Sequence, residues 1–144
     1  MDTSPEYIKQ CEKATEIQEL WEAKPADFVS IKPGVEFVDA VLHFVNQGTV
    51  YTLESFLMRK MKPDYIKERH IWLPRQDQLQ EMVNLHNGNY NLGLQELHQF
   101  VEINCKDETT WVFTSWEQAW LAFVMSERYS KKWNGEDWID LPRM

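Results

Sequence analysis

The stretch from Ser115 to Tyr129 constrains this chain more than any other. Ser115, with Gln118 three residues on, reads as a capping box that starts a helix. Trp116, Trp120, Phe123 and Val124 then share one face, while Leu121 and Met125 lie on another. A helix apolar over most of its circumference must be covered on both sides. Residues 116–129 are therefore expected at the centre of the fold, between a sheet and another helix. Trp120–Met125 is also the longest apolar run, six residues, far short of the ~20 that cross a bilayer. No membrane segment is expected.

A buried helix needs a core around it, and the composition supplies one. The 144 residues are 43% apolar, with seven Trp, five Tyr and seven Phe against five Gly and six Pro. That balance argues against disorder. A chain of this length fits one domain that buries about 70% of its unfolded surface, so a single globular domain over 1–144 is expected.

The flanking elements follow from local signals. Ser4-Pro5 is an N-cap with proline at the first helical position. Tyr7, Cys11, Ala14, Ile17 and Trp21 then recur at spacings of three and four, with Ile8 and Leu20 widening the stripe. The reading is a helix over about 5–22, ended before Pro25. Asp27–Ile31 is rich in strand formers, and Lys32-Pro33-Gly34 supplies a turn. Periodicity over 35–45 fits either a strand or a helix face. The Asn46-Gln47-Gly48 turn and the β-prone Thr49–Leu53 favour a hairpin pairing about 36–45 with 49–53.

Further on, Leu53, Phe56, Leu57 and Met61 fit one or two helical turns broken by Pro63, and a charged loop leads to the short strand Ile71-Trp72-Leu73. Pro74 opens a helix facing inward through Leu79, Met82 and Val83. Asn87-Gly88-Asn89 turns into another near 92–103, with Leu94, Leu97 and Val101 on one face. Trp111–Thr114 reads as a strand. Last, Asn134-Gly135 between Trp133 and Trp138 marks a terminal hairpin whose indoles clamp the domain. The expected class is α+β: an N-terminal helix, a small antiparallel sheet, and C-terminal helices packed on it.

Chemistry is sparse in the pattern. His43, His70, His86 and His98 include no pair at three or four residues, and none has a Cys at zinc-type spacing. Cys11 lies on the apolar stripe, and Cys105 follows a helix end beside Lys106 with no accompanying signature. No glycine-rich phosphate loop is present. Glu117, Glu127, Glu136 and Asp137 read as solvated, with Glu117 complementing a helix start. No catalytic, cofactor or metal residue is assigned, and no cofactor is expected. Of the seven tryptophans most fall on core faces. Trp133 and Trp138 are the ones expected to be partly exposed, and with Trp72 and Arg75 they form the candidate interface.

Charge bears on partners. Fifteen basic against 23 acidic side chains give a net charge of -8, which repels a polyanion, so direct duplex DNA binding is not expected. The densest basic stretch, Arg59-Lys60-Met61-Lys62 with Lys67 and Arg69, is interrupted by Asp64 and Glu68 and reads as a mixed-sign loop. The opening Met1–Glu6 is acidic and lacks a secretory pattern. Two isolated cysteines form no disulfide framework. These features point to the cytoplasm.

Three stretches carry a resemblance: Tyr7–Gln18; Ile71–Val83, reading IWLPRQDQLQEMV; and Trp120–Met125 with Trp133–Trp138, reading WLAFVM and WNGEDW. In these the chain resembles small uncharacterised proteins encoded by phages and prophages of Gram-positive bacteria. The resemblance implies a phage origin and action inside a bacterial host cell, and brings no activity, cofactor or catalytic residue with it. The expected function is a non-enzymatic accessory that binds an unidentified phage or host protein, with an acidic mimic that occupies a host protein's DNA-binding site as its variant. Two other classes stand beside it. One is a nucleic-acid-associated protein using Arg59, Lys60, Lys62, Arg69 and Arg75 with Trp72. The other is an enzyme whose site, around His86 or His98, assembles only in three dimensions. An apolar C-terminal hairpin is compatible with a homodimer.

Overall fold

The computed structural model describes residues 1–33, 50–83, 90–104 and 113–142, apart from the side chains of 56, 57, 90–93 and 104. They form an α+β protein whose chain divides into two compact units. One runs from Thr3 to Pro74; the other comprises Met1–Asp2 and Arg75–Met144.

In the first unit, α1 (Pro5–Lys13) starts as the sequence predicts. Ser4 is extended and its Oγ accepts the Tyr7 amide at 3.2 Å, with Pro5 in the first turn. The helix does not run on to 22. At Ala14 (φ −82, ψ 70) the chain breaks step and restarts as α2 (Thr15–Leu20). No Gly or Pro causes this. At the break the Cys11 carbonyl accepts both the Ala14 amide at 3.2 Å and the Gln18 side-chain amide at 3.1 Å. The stripe survives it: Tyr7, Cys11, Ala14, Ile17 and Trp21 are all buried, while Leu20 faces solvent.

A three-stranded antiparallel sheet follows, in the order β2-β1-β3. Strand β1 (Phe28–Ile31) is central. Val29 stands opposite Tyr51 of β2 (Val50–Thr52) and opposite Trp72 of β3 (His70–Leu73). Helix α1 packs on β3, and Tyr7 Oη donates to the Pro74 carbonyl at 2.7 Å. The turn into β1 is held by buried Asp27, whose Oδ2 accepts Trp21 Nε1 at 3.0 Å and the Lys24 amide at 2.9 Å. Ala26 there takes a left-handed φ of 72. The Trp21 and Trp72 rings stack 6.1 Å apart at 6°. The strand expected over 36–45 lies outside the described residues; among those described, β2 pairs with β1.

The charged loop expected after Pro63 is a helix. Short α3 (Ser55–Lys60) is followed by α4 (Pro63–Arg69), with Pro63 at its start, burying Ile66. Proline ends one helix and also suits the first position of the next; here it does both. The Arg69 guanidinium sits 3.5 Å from the centre of the Tyr65 ring.

The second unit is built around α7 (Trp116–Tyr129), within the predicted bounds. Helices α5 (Gln76–Met82) and α6 (Tyr90–Asn104) and strand β4 (Lys131–Trp133) pack against it. Every residue from Glu117 to Met125 is buried. Phe100 of α6 meets Phe123 at 5.5 Å and Phe113 at 6.0 Å between ring centres. On α6, Leu97 is buried but Leu94, expected on the same face, is exposed. Of the strand expected at 111–114, Phe113 and Thr114 are not strand, and 111–112 lie outside the described residues.

The terminal hairpin forms as the Asn-Gly turn predicts. Strand β4 pairs with β5 (Trp138–Asp140), placing Trp133 opposite Trp138. Asn134 Oδ1 accepts the amides of Glu136 and Asp137, both at 2.8 Å, and Gly135 takes the φ of +100 that the turn requires. Ser130, left-handed at φ 53, links α7 to β4, and the Leu141 amide donates to its carbonyl at 2.7 Å.

Candidate functional site

The first turn of α7 carries an exposed tryptophan on a rigid mount. Ser115 is extended, and its Oγ accepts the Gln118 amide at 3.1 Å. The reciprocal bond of a capping box is displaced by one residue, because Gln118 Oε1 accepts the amide of Thr114 at 3.3 Å rather than that of Ser115. Gln118 Nε2 instead donates to Thr114 Oγ1 at 2.8 Å and to Asp2 Oδ2 at 2.9 Å. The same Asp2 oxygen accepts the Ser115 hydroxyl at 2.5 Å. Glu117, buried beside these groups, accepts the Asp2 amide at 3.1 Å and lies 3.5 Å from the Met1 amine. Two carboxylates thus sit at the positive end of the helix dipole, each hydrogen-bonded.

On this turn Trp116 is 64% exposed. The sequence places it with Trp120 on an apolar face, and the structure buries Trp120 but not Trp116. Leu94, Ile103 and Ile139 of the same unit are also exposed. The unit carries twelve Asp and Glu against six Lys and Arg, so these apolar side chains stand on a strongly acidic unit.

Of the residues expected to form the interface, the three tryptophans are buried. Trp133 and Trp138 are 4% and 8% exposed, their rings 5.2 Å apart and tilted at 55°. Directly opposed on a two-stranded hairpin, they share one face, and that face is the one the unit buries. Trp72 is 4% exposed because its strand is buried along its whole length and its ring stacks on Trp21. Burial also removes Trp72 as a base-stacking platform beside the basic residues. Arg75 stays at the surface, its Nε 3.1 Å from Asp77 Oδ1 and its amide donating to Gln78 Oε1 at the start of α5. No match is found among protein-family models, curated proteins or solved structures.

The one described histidine with a distinctive environment is His70. It is buried, its Nδ1 donates to the Ile66 carbonyl at 2.9 Å, and its Nε2 therefore accepts from the Tyr51 hydroxyl. Burial pushes its pKa below the ordinary histidine value; the Ile66 carbonyl opposes this, and Lys32 and Arg69 add to it. Burial pushes the Tyr51 phenol up. Both groups are held neutral, which makes the pair a polar link across the sheet rather than an ionised acid–base couple. His98 is exposed and lies 3.1 Å from Glu102, Cys11 is buried, and His43, His86 and Cys105 lie outside the described residues. Among the described residues no three His, Cys, Asp or Glu side chains converge as metal ligands do, and no helix is long and apolar enough to cross a membrane.

Proposed function

We propose that this chain is a non-enzymatic protein–protein interaction module of phage type, working in the cytoplasm of a bacterial host, with Trp116 as its anchor. Trp116 carries the reading. A tryptophan buries about 150–250 Å² when a partner covers it and restricts only two side-chain torsions in doing so. Tryptophan is also over-represented among residues that dominate binding energy. This one is mounted on a turn fixed by Ser115, Gln118 and Asp2, so little ordering is left to oppose association.

The complementary partner is a phage or host protein presenting an apolar pocket with a basic rim, matched to the acidic unit around Trp116. The test compares wild type with Trp116→Ala in affinity capture from host lysate and in direct titration against the captured protein. The expected outcome is a stoichiometric partner whose affinity falls at least tenfold in the variant, with the melting temperature unchanged. Equal capture by both forms overturns the reading. So does a concentration-dependent dimer, abolished by Trp116→Ala, that leaves no surface for another protein.

A further inference from the structure

A second site lies in the other unit, on residues the proposal above does not use. Between α1, α2, α4 and the end of β1 is a groove of about 390 Å³, within the size range of small-molecule sites. Four ionisable side chains line it: Glu12 and Glu19 from α1 and α2, Lys32 just beyond β1, and Lys67 of α4. Its apolar lining is Trp21 and Ile71, both buried. Among the described residues no ion pair joins either carboxylate to either ammonium, and neither the Glu12 nor the Lys32 side chain has another hydrogen-bond or ion-pair partner. Among the described residues Lys67 Nζ makes one bond, to the Glu19 carbonyl at 3.0 Å, which holds the ammonium at the groove wall.

This arrangement is selective by charge. Opposite charges that line one small groove yet remain apart define a gap that a bridging molecule can fill. An anion drawn to Lys32 and Lys67 meets Glu12 and Glu19, and a cation meets the reverse, so a ligand of one sign is repelled as well as attracted. A ligand with both signs replaces hydration at both ends with charge-assisted hydrogen bonds. We propose that this groove binds a small zwitterion, an amino acid or dipeptide, its carboxylate on Lys32 and Lys67 and its ammonium on Glu12 and Glu19.

The test is calorimetric titration of the full chain with two probes, L-leucine and the dipeptide Leu-Leu, each beside its N-acetylated and C-amidated forms. At least one zwitterion is expected to bind, and blocking either end is expected to weaken it at least tenfold. Binding by leucine alone assigns the site to free amino acids, and binding by the dipeptide alone to peptides. Lys32→Gln and Glu12→Gln, both on side chains outside the core, are each expected to weaken binding roughly tenfold, the loss of one charge-assisted hydrogen bond. Trp116→Ala is expected to change nothing, so this site and the anchor in the other unit fail or stand separately. Three results overturn the proposal: no heat from either probe at concentrations on the order of 10 mM; blocked forms that bind as tightly as the zwitterions; or binding untouched by Lys32→Gln and Glu12→Gln in variants that melt with wild type.

Discussion

The side-chain amide of Gln18 pairs with the backbone of Trp72 as a neighbouring strand would. Its Oε1 accepts the Trp72 amide at 2.9 Å and its Nε2 donates to the Trp72 carbonyl at 2.9 Å. Among the described residues, strand β3 pairs with β1 alone, and exposed strand edges invite pairing with other chains. Gln18 closes this edge at its midpoint. Replacing it with Ala leaves two backbone groups of a buried strand unpaired, and a loss of about 1–3 kcal/mol in urea-unfolding stability is expected. Light scattering should show increased self-association of Gln18→Ala. A variant as stable and as monomeric as wild type would remove the edge-closing role.

The Tyr51–His70 pair gives stability a defined pH dependence. His70 is held below its ordinary pKa in the folded chain, so as pH falls through about 6.5 the unfolded chain takes up the proton first. Its contribution is fully present above that point and is lost below it. Tyr51 is raised in the folded chain, so above about pH 10 the unfolded chain ionises first and stability falls again. Unfolding free energies measured across pH should decline at both ends. His70→Gln is expected to flatten the acid limb and Tyr51→Phe the alkaline one. Tyr51→Phe should also cost about 1–3 kcal/mol at neutral pH, because the buried His70 Nε2 loses its donor.

The two tryptophan environments predict opposite behaviour. Trp133→Ala empties a buried position and should cost about 3–5 kcal/mol. Trp116→Ala removes a side chain that is 64% exposed, and should stay within roughly 0.5 kcal/mol of wild type. Thermal melting of the two variants side by side checks both statements. A collapse of the Trp116 variant would place that ring in the core.

Ser115 caps α7 and also holds Asp2. Ser115→Ala should lower stability by about 1–2 kcal/mol, and Asp2→Asn by less, because a neutral amide still accepts hydrogen bonds but no longer complements the helix dipole. The asymmetry between the variants, read from denaturant midpoints at low salt, tests whether charge or hydrogen bonding dominates this helix start.

Much of this architecture is legible in local sequence. Ser4-Pro5 marks the start of α1, Ser115 marks that of α7, and Asn134-Gly135 marks the hairpin, since each signal acts within a few residues of the backbone it shapes. The break at Ala14 is not legible, because Gln18 is held by Trp72, 54 residues away. Pro63 is ambiguous for a different reason: the same fixed φ both ends α3 and begins α4. The tryptophans show what periodicity leaves open. Trp116 and Trp120 are four residues apart and share a face, but a face runs the length of a helix whereas the elements covering it need not reach its first turn. Trp133 and Trp138 look peripheral beside a polar turn, yet their opposition in the hairpin directs both rings to the buried side. The sequence therefore expects exposed indoles at Trp133 and Trp138, and the structure exposes Trp116 instead.

Helix α7 has nine consecutive buried residues, Glu117–Met125, about two and a half turns without a wetted side. Such a segment gains little from helix formation alone and depends on α5, α6 and β4 closing around it. Its mid-helix amides can then meet deuterium only when those neighbours part. In native-state exchange they should form the slowest-labelling set of this unit, and their rates a direct gauge of the free energy of its cooperative opening.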